Sequence, residues 1–296
     1  MIPNTATAPT AKASSVVSPP RKRRRPTGKR TSAVLLILLA LVMLAPFVWT
    51  GLSVTKPTNV AFANPPVVSG YTPTLEAFRN LWETTYFARY LGNTAIVALI
   101  STVVALLIGI PAAYALSRFP GWVSAVLLLL ALIFRSLPRF SVVLPMYEIS
   151  RSLGIYDTNF ALAAALVAIN QPFTIWLLRN FFADIPKELD EAAMIDGCTR
   201  VSLLWRIMIP LMRPGILTAG VFVFLFAFQE YLTALVLTDT TSKTVPVFIT
   251  TQLGQTLPML QQAGAAAMLL TLPVIGIAFV AQKYLVAGLS DGSVKG

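Results

Sequence analysis

Apolar and polar segments alternate along this chain, and six of the apolar runs are close to membrane-crossing length. A helix needs about 20 mainly apolar residues to cross a lipid bilayer. We therefore predict an all-α polytopic membrane protein with six transmembrane helices and one long polar loop, residues 179–214, between the fourth and fifth spans. The predicted spans are residues 33–52, 93–116, 122–147, 159–178, 215–237 and 263–285.

The polar loop carries the pattern of a short helix followed by a turn. Pro186 can open a helix that Asp184 caps, because proline lacks the N–H group that a first turn leaves unpaired. This helix is predicted to run to about Ile195, and Gly197 can then take the left-handed conformation that ends a helix. One face of the helix would be apolar and formed by Leu189, Ala192 and Ala193.

A second helix is predicted in the same loop, from about Thr199. Proline cannot continue a helix without loss of a hydrogen bond, so Pro210 and Pro214 are expected to end it. Its apolar positions follow the i, i+3, i+4, i+7 spacing of an amphipathic helix. They are Val201, Leu204, Trp205 and Met208.

Composition agrees with a membrane protein and excludes several other classes. Apolar residues make up 56% of the chain and charged residues 12%, whereas a soluble domain carries about 25% charged residues. The net charge of +11 therefore does not indicate a soluble nucleic-acid binder. The chain has no histidine and one cysteine, Cys198, which excludes an internal disulfide and a histidine-based nucleophilic centre. No GxxxxGK[ST] loop for ATP is present. We predict a conduit with no cofactor or metal of its own, not an enzyme.

The N-terminal 30 residues differ from the rest of the chain. They are rich in Pro, Thr, Ser and Ala, contain the basic block Arg21–Arg25 and lack apolar periodicity. We predict a disordered tail before one membrane domain at 31–296, and interpret the basic block as a topology signal that also contacts anionic lipid headgroups. A cleavable signal peptide is the alternative for the first span. However, the A-x-A pattern at 61–63 lies more than ten residues past the apolar core, which favours an uncleaved anchor.

Basic residues orient the predicted spans. With the N-terminus inside, sixteen Lys and Arg fall on the inner side and five on the outer side. Positive residues favour the cytoplasmic side of a membrane. We therefore predict that both termini and the loop 179–214 are cytoplasmic.

The loop also contains a recognisable motif. It resembles the EAA motif of ATP-binding-cassette (ABC) importer permeases, which runs roughly EAAxxDG, then a six-residue gap, an aromatic or apolar pair, and IxLP. The matching residues are Glu191-Ala192-Ala193, Asp196-Gly197, Leu204-Trp205 and Ile207-x-Ile209-Pro210, with Ile209 where leucine is usual. The lead-in 181–189 and the terminal Val294-Lys295-Gly296 resemble the maltose-transporter-like carbohydrate group, in particular its smaller six-span subunit.

The resemblance implies a type I ABC importer transmembrane domain in the cell membrane of a prokaryote. The loop would be a coupling helix that docks on a cytosolic ATPase dimer, which binds ATP and Mg²⁺. The other partners would be a second, larger permease subunit, an extracytoplasmic solute-binding protein and the lipid bilayer. The alternative for the loop is an amphipathic hairpin lying on the membrane surface. Residues carried over as ATPase-coupling positions are Glu191, Ala192, Ala193, Asp196, Gly197, Leu204, Trp205 and Pro210.

Polar groups inside the predicted spans are candidates for a substrate path, because a charge at membrane depth is costly without a partner or a lined cavity. Gln229, Glu230 and Tyr231 in the fifth span stand where the family has a Trp-Asn-Glu-Phe-like run. Two interpretations of Glu230 stay open. It is either a pore-facing acceptor for sugar hydroxyls or a gate contact, or it forms a structural hydrogen bond or ion pair with a neighbouring span.

Arg135 and Arg139 flank Pro138 in the third span and would share one helical face if the helix continued through the proline. They either pair with Glu230 or a partner's carboxylate, or line a path for an anionic substrate. Asn170 in the fourth span is expected to help satisfy backbone groups at a bend, with a substrate contact as the alternative.

These observations predict the permease subunit of an ATP-driven importer of a mono-, di- or oligosaccharide. The alternative is the same architecture importing an anionic sugar or polyol derivative, phosphorylated or sulfonated. A membrane-embedded enzyme or assembly factor is a hypothesis from another class. An enzyme would need a catalytic cluster, which the isolated intramembrane carboxylates do not provide.

Overall fold

The computed structural model describes residues 28–290, with side chains for residues 31–282, and this part of the chain is helical apart from turns and loops. The predicted tail lies outside the described residues up to residue 27, and the first helix already begins at Gly28. The helices are α1 (Gly28–Val54), α2 (Thr58–Ala61), α3 (Glu76–Thr84), α4 (Phe87–Arg118), α5 (Trp122–Ser136), α6 (Arg139–Ser152), α7 (Asn159–Ala183), α8 (Glu188–Ile195), α9 (Arg200–Leu203), α10 (Ile209–Leu211), α11 (Arg213–Phe228), α12 (Leu232–Leu237), α13 (Val245–Gln252) and α14 (Leu257–Ser290), with a π-helical turn (Leu204–Met208) between α9 and α10.

Two compact units divide the chain at residue 46. In the first unit, residues 31–46 of α1 are almost entirely apolar, and all of them are exposed. Such a surface suits contact with lipid tails. The second unit, residues 47–296, contains all the predicted site residues and is described from here on.

Four helical stretches are long and apolar enough to cross a membrane: Thr31–Val54, Phe87–Arg118, Asn159–Ala183 and Leu257–Gln282. They correspond to the predicted first, second, fourth and sixth spans. The third and fifth predicted spans instead fall on helices that are bent or interrupted. Hydropathy alone therefore identifies the apolar segments, but not where a helix stops.

The third predicted span, 122–147, is not one helix. It is split into α5 and α6, which meet at an angle of 91°. Leu137 is extended, with ψ of 144°, because a residue before proline is pushed out of the α region. Pro138 is likewise extended, and α6 begins at the next residue. The condition under which Arg135 and Arg139 would share one helical face, a helix that continues through Pro138, is therefore not met.

The fifth predicted span, 215–237, is also interrupted. Helix α11 begins at Arg213 and stops at Phe228, and α12 starts at Leu232. Gln229, Glu230 and Tyr231 form the non-helical link between them. These three residues thus lie at a break in the helical path and not within a continuous span.

The centre of the second unit is formed by α4 packed against α7, with α11 beside them. Gly109 of α4 allows close contact, since a Cβ atom at this position would lie 2.8 Å from Cγ2 of Thr174 on α7. Buried apolar side chains from α4, α7 and the segment 193–219 form a cluster at the end of the bundle that carries the loop 179–214. We call this end the loop end.

At the end opposite the loop end, Asp157 fixes the segment 239–242. This residue has φ of +57°, and its carboxylate accepts backbone N–H groups from Asp239 at 2.9 Å, Thr241 at 2.8 Å and Ser242 at 3.0 Å. Burial alone raises the pKa of Asp157, but these hydrogen bonds outweigh it and hold the pKa well below the usual range of a carboxyl. The side chain of Asn93 donates to the carbonyls of Thr241 and Lys243, each at 3.0 Å.

Candidate functional site

Two regions of the second unit bring the predicted residues together: the helical segment 188–211, which we call the loop element, and a cavity beside two helix breaks. In the loop element, Gly197 has φ of +84°, which confirms the predicted left-handed turn. The second helix starts as predicted, because the hydroxyl oxygen of Thr199 accepts the N–H of Ser202 at 3.2 Å and caps the helix.

The predicted start of the first helix is wrong. Helix α7 continues to Ala183, beyond the predicted end of the fourth span, and Asp184 is the residue that closes it. The extension follows from packing, since Phe182 is fully buried in the cluster at the loop end. Helix α8 then begins after Lys187 without a side-chain cap.

The second helix ends at Leu211, between the two prolines predicted to end it, but neither proline is the residue at which it stops. Pro210 lies inside the helical path, and the turn before it, Leu204–Met208, is π-helical. Proline has no N–H and its ring crowds the carbonyl four residues earlier, so a widened turn relieves the strain. The chain bends by 80° between Leu211 and Arg213. Pro214 stands in the first turn of α11 and opens that helix instead of ending the previous one.

The loop element has one face against the bundle and another face that is open. Leu189, Ala192 and Ala193 all belong to α8 at the spacing that places them on one side of the helix, but only Ala193 is buried, and Leu189 and Ala192 are exposed. In the second helix, Leu204 and Met208 are buried and Val201 and Trp205 are exposed. The large exposed apolar side chains, with their exposed fractions, are Ile195 (86%), Val201 (68%), Trp205 (56%), Leu211 (51%), Leu189 (42%) and Met194 (38%).

Six of the eight motif residues lie on the surface of the loop element. They are Glu191, Ala192, Asp196, Gly197, Trp205 and Pro210, whereas Ala193 and Leu204 are buried. The buried pair packs in the cluster with Tyr114 and Phe182. The motif therefore serves two purposes in this fold: two positions attach the element to the bundle, and the others form a surface beside exposed apolar side chains.

Sequence reasoning missed the residue that binds the loop element to α4. The Asp190 carboxylate lies 2.9 Å from Nε of Arg118 and accepts the hydroxyl of Tyr114 at 2.8 Å. Arg118 also donates to the backbone carbonyls of Phe182 at 3.1 Å and Ile185 at 3.0 Å. The signal available in the sequence was a carboxylate three residues before Ala193, on the helix face that is buried.

The second region is a cavity of about 420 Å³ beside the two helix breaks. An adjoining cavity of about 200 Å³ shares Arg135 and Arg139 with it. Five of the six residues predicted for a substrate path line the larger cavity, and Tyr231 does not line it. The polar lining residues are Arg135, Arg139, Asn170, Gln229 and Glu230, and the apolar ones are Phe222, Leu225 and Phe226.

Glu230 has two partners in this cavity. One carboxylate oxygen lies 3.6 Å from Nη2 of Arg139. The other accepts the backbone N–H of Thr233 at 3.0 Å and its hydroxyl at 2.8 Å. The side chain of Arg139 is 43% exposed and that of Glu230 12%, so the ion pair itself is weak. The geometry agrees with the predicted pairing of Arg139 with Glu230 and adds a helix-capping role for the carboxylate.

Arg135 is held differently. Its guanidinium lies 5.1 Å from the ring centroid of Phe173 and 5.6 Å from that of Phe226. Among side chains 31–282, no carboxylate lies within salt-bridge distance of it. Cation–π contacts hold a guanidinium in place but leave its hydrogen-bond donors free. Arg135 is therefore available to bind an acceptor in the cavity.

Asn170 is buried on α7 and lines the same cavity. Its backbone carbonyl accepts the Thr174 hydroxyl at 2.9 Å. The neighbouring Gln171 donates to the carbonyl of Ala105 on α4 at 3.3 Å. Neither bond involves the Asn170 side chain or the Ala168 carbonyl, which Pro172 leaves without a helical N–H, so the backbone role of Asn170 stays a prediction. Within the described residues, no cluster of three or more metal-ligating side chains occurs.

Comparison with known proteins accounts for this arrangement. The sequence profile of the family described as "Binding-protein-dependent transport system inner membrane component" matches residues 105–291. The chain belongs to this family. It is therefore a multi-pass membrane subunit of an ABC transporter, a permease, and such a subunit is not itself catalytic.

Curated relatives cover almost the whole chain. The chain is 38% identical to a probable ABC transporter permease protein, y4oR, of Sinorhizobium fredii, over 92% of this chain and 97% of the relative. It is 35% identical to the trehalose transport system permease protein SugB of Mycobacterium tuberculosis, over 89% and 97%. It is 31% identical to the sulfoquinovosyl glycerol transport system permease protein SmoH of Agrobacterium fabrum, over 91% and 95%.

A solved structure shares the permease fold. It is a bacterial ABC transporter involved in the import of the acidic polysaccharide alginate, and the chain matched in it has a TM-score of 0.72 at 24% identity. The match covers 90% of this chain and 99% of that chain. The chain thus has the fold of a type I ABC importer permease.

Proposed function

We propose that this permease is the smaller membrane subunit of an ATP-driven importer of a mono-, di- or oligosaccharide. The observation that carries the proposal is the cavity in which Asn170 of α7 meets Gln229 and Glu230 of the link between α11 and α12. Carboxamide and carboxylate groups offer the donors and acceptors that sugar hydroxyls need. The trehalose permease among the relatives supports the same class of substrate.

The cavity also has the apolar component that sugar binding uses. Phe222 and Phe226 line it next to the polar residues. An aromatic ring offers a flat apolar surface to one face of a sugar, while the polar residues bind the hydroxyl groups at its edge. The second, larger permease subunit would cover the open side of this cavity.

The exposed apolar residues of the loop element are the proposed docking surface for a cytosolic ATPase dimer. Ile195, Val201 and Trp205 are more than half exposed on a segment that buries other residues, among them Ala193 and Leu204, against the bundle, and exposed apolar groups of this kind mark interaction sites. ATP and Mg²⁺ would be bound by the ATPase and not by this chain. An extracytoplasmic solute-binding protein would deliver the sugar at the end opposite the loop end.

Transport then requires no covalent chemistry from this chain. ATP-driven closure of the ATPase would move the loop element and favour the outward-facing state, and hydrolysis would restore the inward-facing state. The excess of basic residues on the loop side supports cytoplasmic termini in a prokaryotic cell membrane. A hairpin lying on the membrane surface would not explain why Ala193 and Leu204 are buried in the bundle.

The proposal is tested with the full importer reconstituted in lipid vesicles. We expect uptake of a labelled disaccharide with ATP inside, and a decrease of roughly tenfold in Gln229→Ala, the loss expected when a substrate hydroxyl loses its partner. Gln255→Ala is the matched control, because Gln255 is an exposed glutamine outside the cavity. Equal uptake by the two variants, or no uptake of any sugar by the wild type, would contradict the proposal.

A second candidate function, import of an anionic sugar or polyol derivative, is favoured by Arg135. This guanidinium lines both cavities without a carboxylate within salt-bridge distance among side chains 31–282. A sulfonate or phosphate group would provide the missing charge. The relative that carries sulfoquinovosyl glycerol supports this candidate.

The two candidates differ in their response to Arg135→Gln. If the substrate is anionic, uptake of the anionic sugar should fall at least about tenfold, and Arg135→Lys should restore part of it. Arg151→Gln removes another exposed arginine, which lies outside both cavities, and serves as control. Unchanged uptake in Arg135→Gln would leave the neutral sugar as the substrate class.

A further inference from the structure

The contact between Asp190 and Arg118 joins the loop element to the corner between α4 and α5. Arg118 is the last residue of α4, and α5 begins at Trp122. The side chains of Arg118 and Asp190 are 5% and 10% exposed. The Asp190 oxygen that accepts Arg118 also accepts the Tyr114 hydroxyl. A buried charged pair with this many donors has one well-defined geometry and is costly to separate.

A second contact attaches the same corner to the other side of the turn in the loop element. The guanidinium of Arg200 lies 4.8 Å from the ring centroid of Phe119. Asp190 precedes Gly197 and Arg200 follows it, so the two contacts hold both helices of the loop element to neighbouring residues, Arg118 and Phe119. Two separate attachments restrict rotation as well as displacement.

The corner is in turn fixed to α5. The hydroxyl of Ser124, in the first turn of α5, donates to the carbonyl of Leu116 on α4 at 3.0 Å. Helix α5 has 15 residues and is therefore about 22 Å long. Its last turn contains Arg135, which lines the cavity. One rigid helix thus leads from the corner to the proposed substrate path.

We propose that Asp190 is a positioning residue that makes the loop element and the α4–α5 corner move as one body, so that displacement of the loop element reaches Arg135 through α5. This inference rests on the proposed docking of the loop element on an ATPase. This role differs from that of the exposed motif residues, which would contact the ATPase. The Asp190 side chain is buried, and the partners described for it, Arg118 and Tyr114, belong to this chain. Packed side chains, salt bridges and rigid helices can carry coupling between distant sites.

The test measures a distance in the complete importer. Spin labels are attached to Trp122→Cys and Glu188→Cys in a Cys198→Ser background, which removes the single native cysteine. Pulsed electron paramagnetic resonance then compares the nucleotide-free complex with the ATP-bound complex in which hydrolysis is blocked. We expect a narrow distance distribution with the same mean in both states. A change of the mean between the two states would overturn the proposal.

Variants make the test specific to Asp190. Asp190→Asn should broaden the distribution and lower the substrate transported per ATP hydrolysed by about fivefold or more, the lower end of coupling between sites. Glu191→Gln, a charge loss at the next residue on the exposed side, should leave the distribution narrow. A distribution in Asp190→Asn as narrow as in the wild type would overturn the proposal.

Two further outcomes keep the result interpretable. If Asp190→Asn does not assemble, Tyr114→Phe replaces it, because this variant removes one donor to Asp190 and keeps the ion pair. A distance distribution unchanged by Tyr114→Phe would then count against the proposal.

The distance between the two labels does not depend on the identity of the substrate. A constant distance in a complex that transports no sugar would therefore contradict the proposed function and leave the role of Asp190 standing.

Discussion

Arg139 lies 3.6 Å from Glu230, and each of these residues stands beside a helix break. Arg139 is the first residue of α6, and Glu230 precedes α12. The contact connects two discontinuities that are 91 residues apart in the sequence. Because Glu230 also caps α12 through Thr233, its contribution to stability is expected to come more from the cap than from the half-exposed ion pair.

The first prediction separates these two roles of Glu230. Glu230→Ala removes the cap and the ion pair and should lower the free energy of unfolding by about 1–2 kcal/mol. Glu230→Gln keeps an amide oxygen for the Thr233 N–H, so it should cost clearly less. Thermal unfolding of the detergent-solubilised protein measures both. Equal losses in the two variants would mean that the charge, and not the cap, is the stabilising element.

The second prediction concerns Asp157. Asp157→Asn removes the charge that binds the backbone N–H groups of segment 239–242 and should destabilise the protein by about 1–3 kcal/mol. The folded state lowers the pKa of Asp157 below its ordinary value of 3.8. This stabilisation is therefore complete above the ordinary value and is lost as pH falls towards the lower folded pKa.

The corresponding measurement is the difference in unfolding temperature between wild type and Asp157→Asn as the pH is lowered from neutral. The difference should be constant near neutral pH and should shrink in the acid range. An exposed carboxylate, Glu188, provides the control as Glu188→Gln, for which a small difference at every pH is expected. A difference for Asp157→Asn that grows on acidification would contradict the assigned direction of the pKa change.

The third prediction concerns packing between α4 and α7. Gly109→Ala would place a Cβ atom 2.8 Å from Cγ2 of Thr174 and should cost about 1–3 kcal/mol through overpacking. Thr174→Ser removes that methyl group and keeps the hydroxyl that binds the Asn170 carbonyl. The double variant should recover most of the loss. Gly92→Ala on the same helix meets no atom within 4 Å and should be neutral or slightly stabilising.

The fourth prediction concerns the turn in the loop element. Gly197 has open space around it but a φ of +84°, so only backbone conformation restricts substitution. Gly197→Val should lose substrate-stimulated ATP hydrolysis in the reconstituted complex, because a β-branched residue disfavours the left-handed region. Gly197→Asn should retain more of it, since asparagine tolerates this region best among the other residues. Unchanged substrate-stimulated ATP hydrolysis in Gly197→Val would argue against the idea that a rigid loop element transmits the movement of the ATPase.

The sequence was sufficient for the apolar segments and for the local signals in the loop, and insufficient for long-range contacts. Gly197 and Thr199 were predictable because a left-handed turn and an N-cap depend on neighbouring residues only. The break at Pro138 was also available locally, because the residue before a proline avoids the α region. Hydropathy concealed it, since the longer segments on both sides of the break are mainly apolar in spite of Arg135 and Arg139.

Other features depend on partners far away in the chain. Asp190 pairs with Arg118, 72 residues earlier, and no pattern within α8 identifies that partner. The end of the fourth span was predicted too early because Phe182 packs in a tertiary cluster. The cavity residues were found individually as polar groups in apolar segments. These residues line the same cavity because the broken helices pack together. The pattern of any one segment does not predict that packing.

The break between α5 and α6 has one more consequence, for the backbone itself. The last carbonyl groups of a helix have no donor in a following turn. At the end of α5, the Phe134 carbonyl accepts the N–H of Leu137 in place of a helical partner, and the Leu132 carbonyl accepts the Ser136 hydroxyl as an additional donor. A helix that stops inside an apolar wall thus keeps a patch of main-chain acceptors there. In a homologous permease with proline at position 138 but neutral residues at positions 135 and 139, these main-chain carbonyl groups would still make this point of the wall polar.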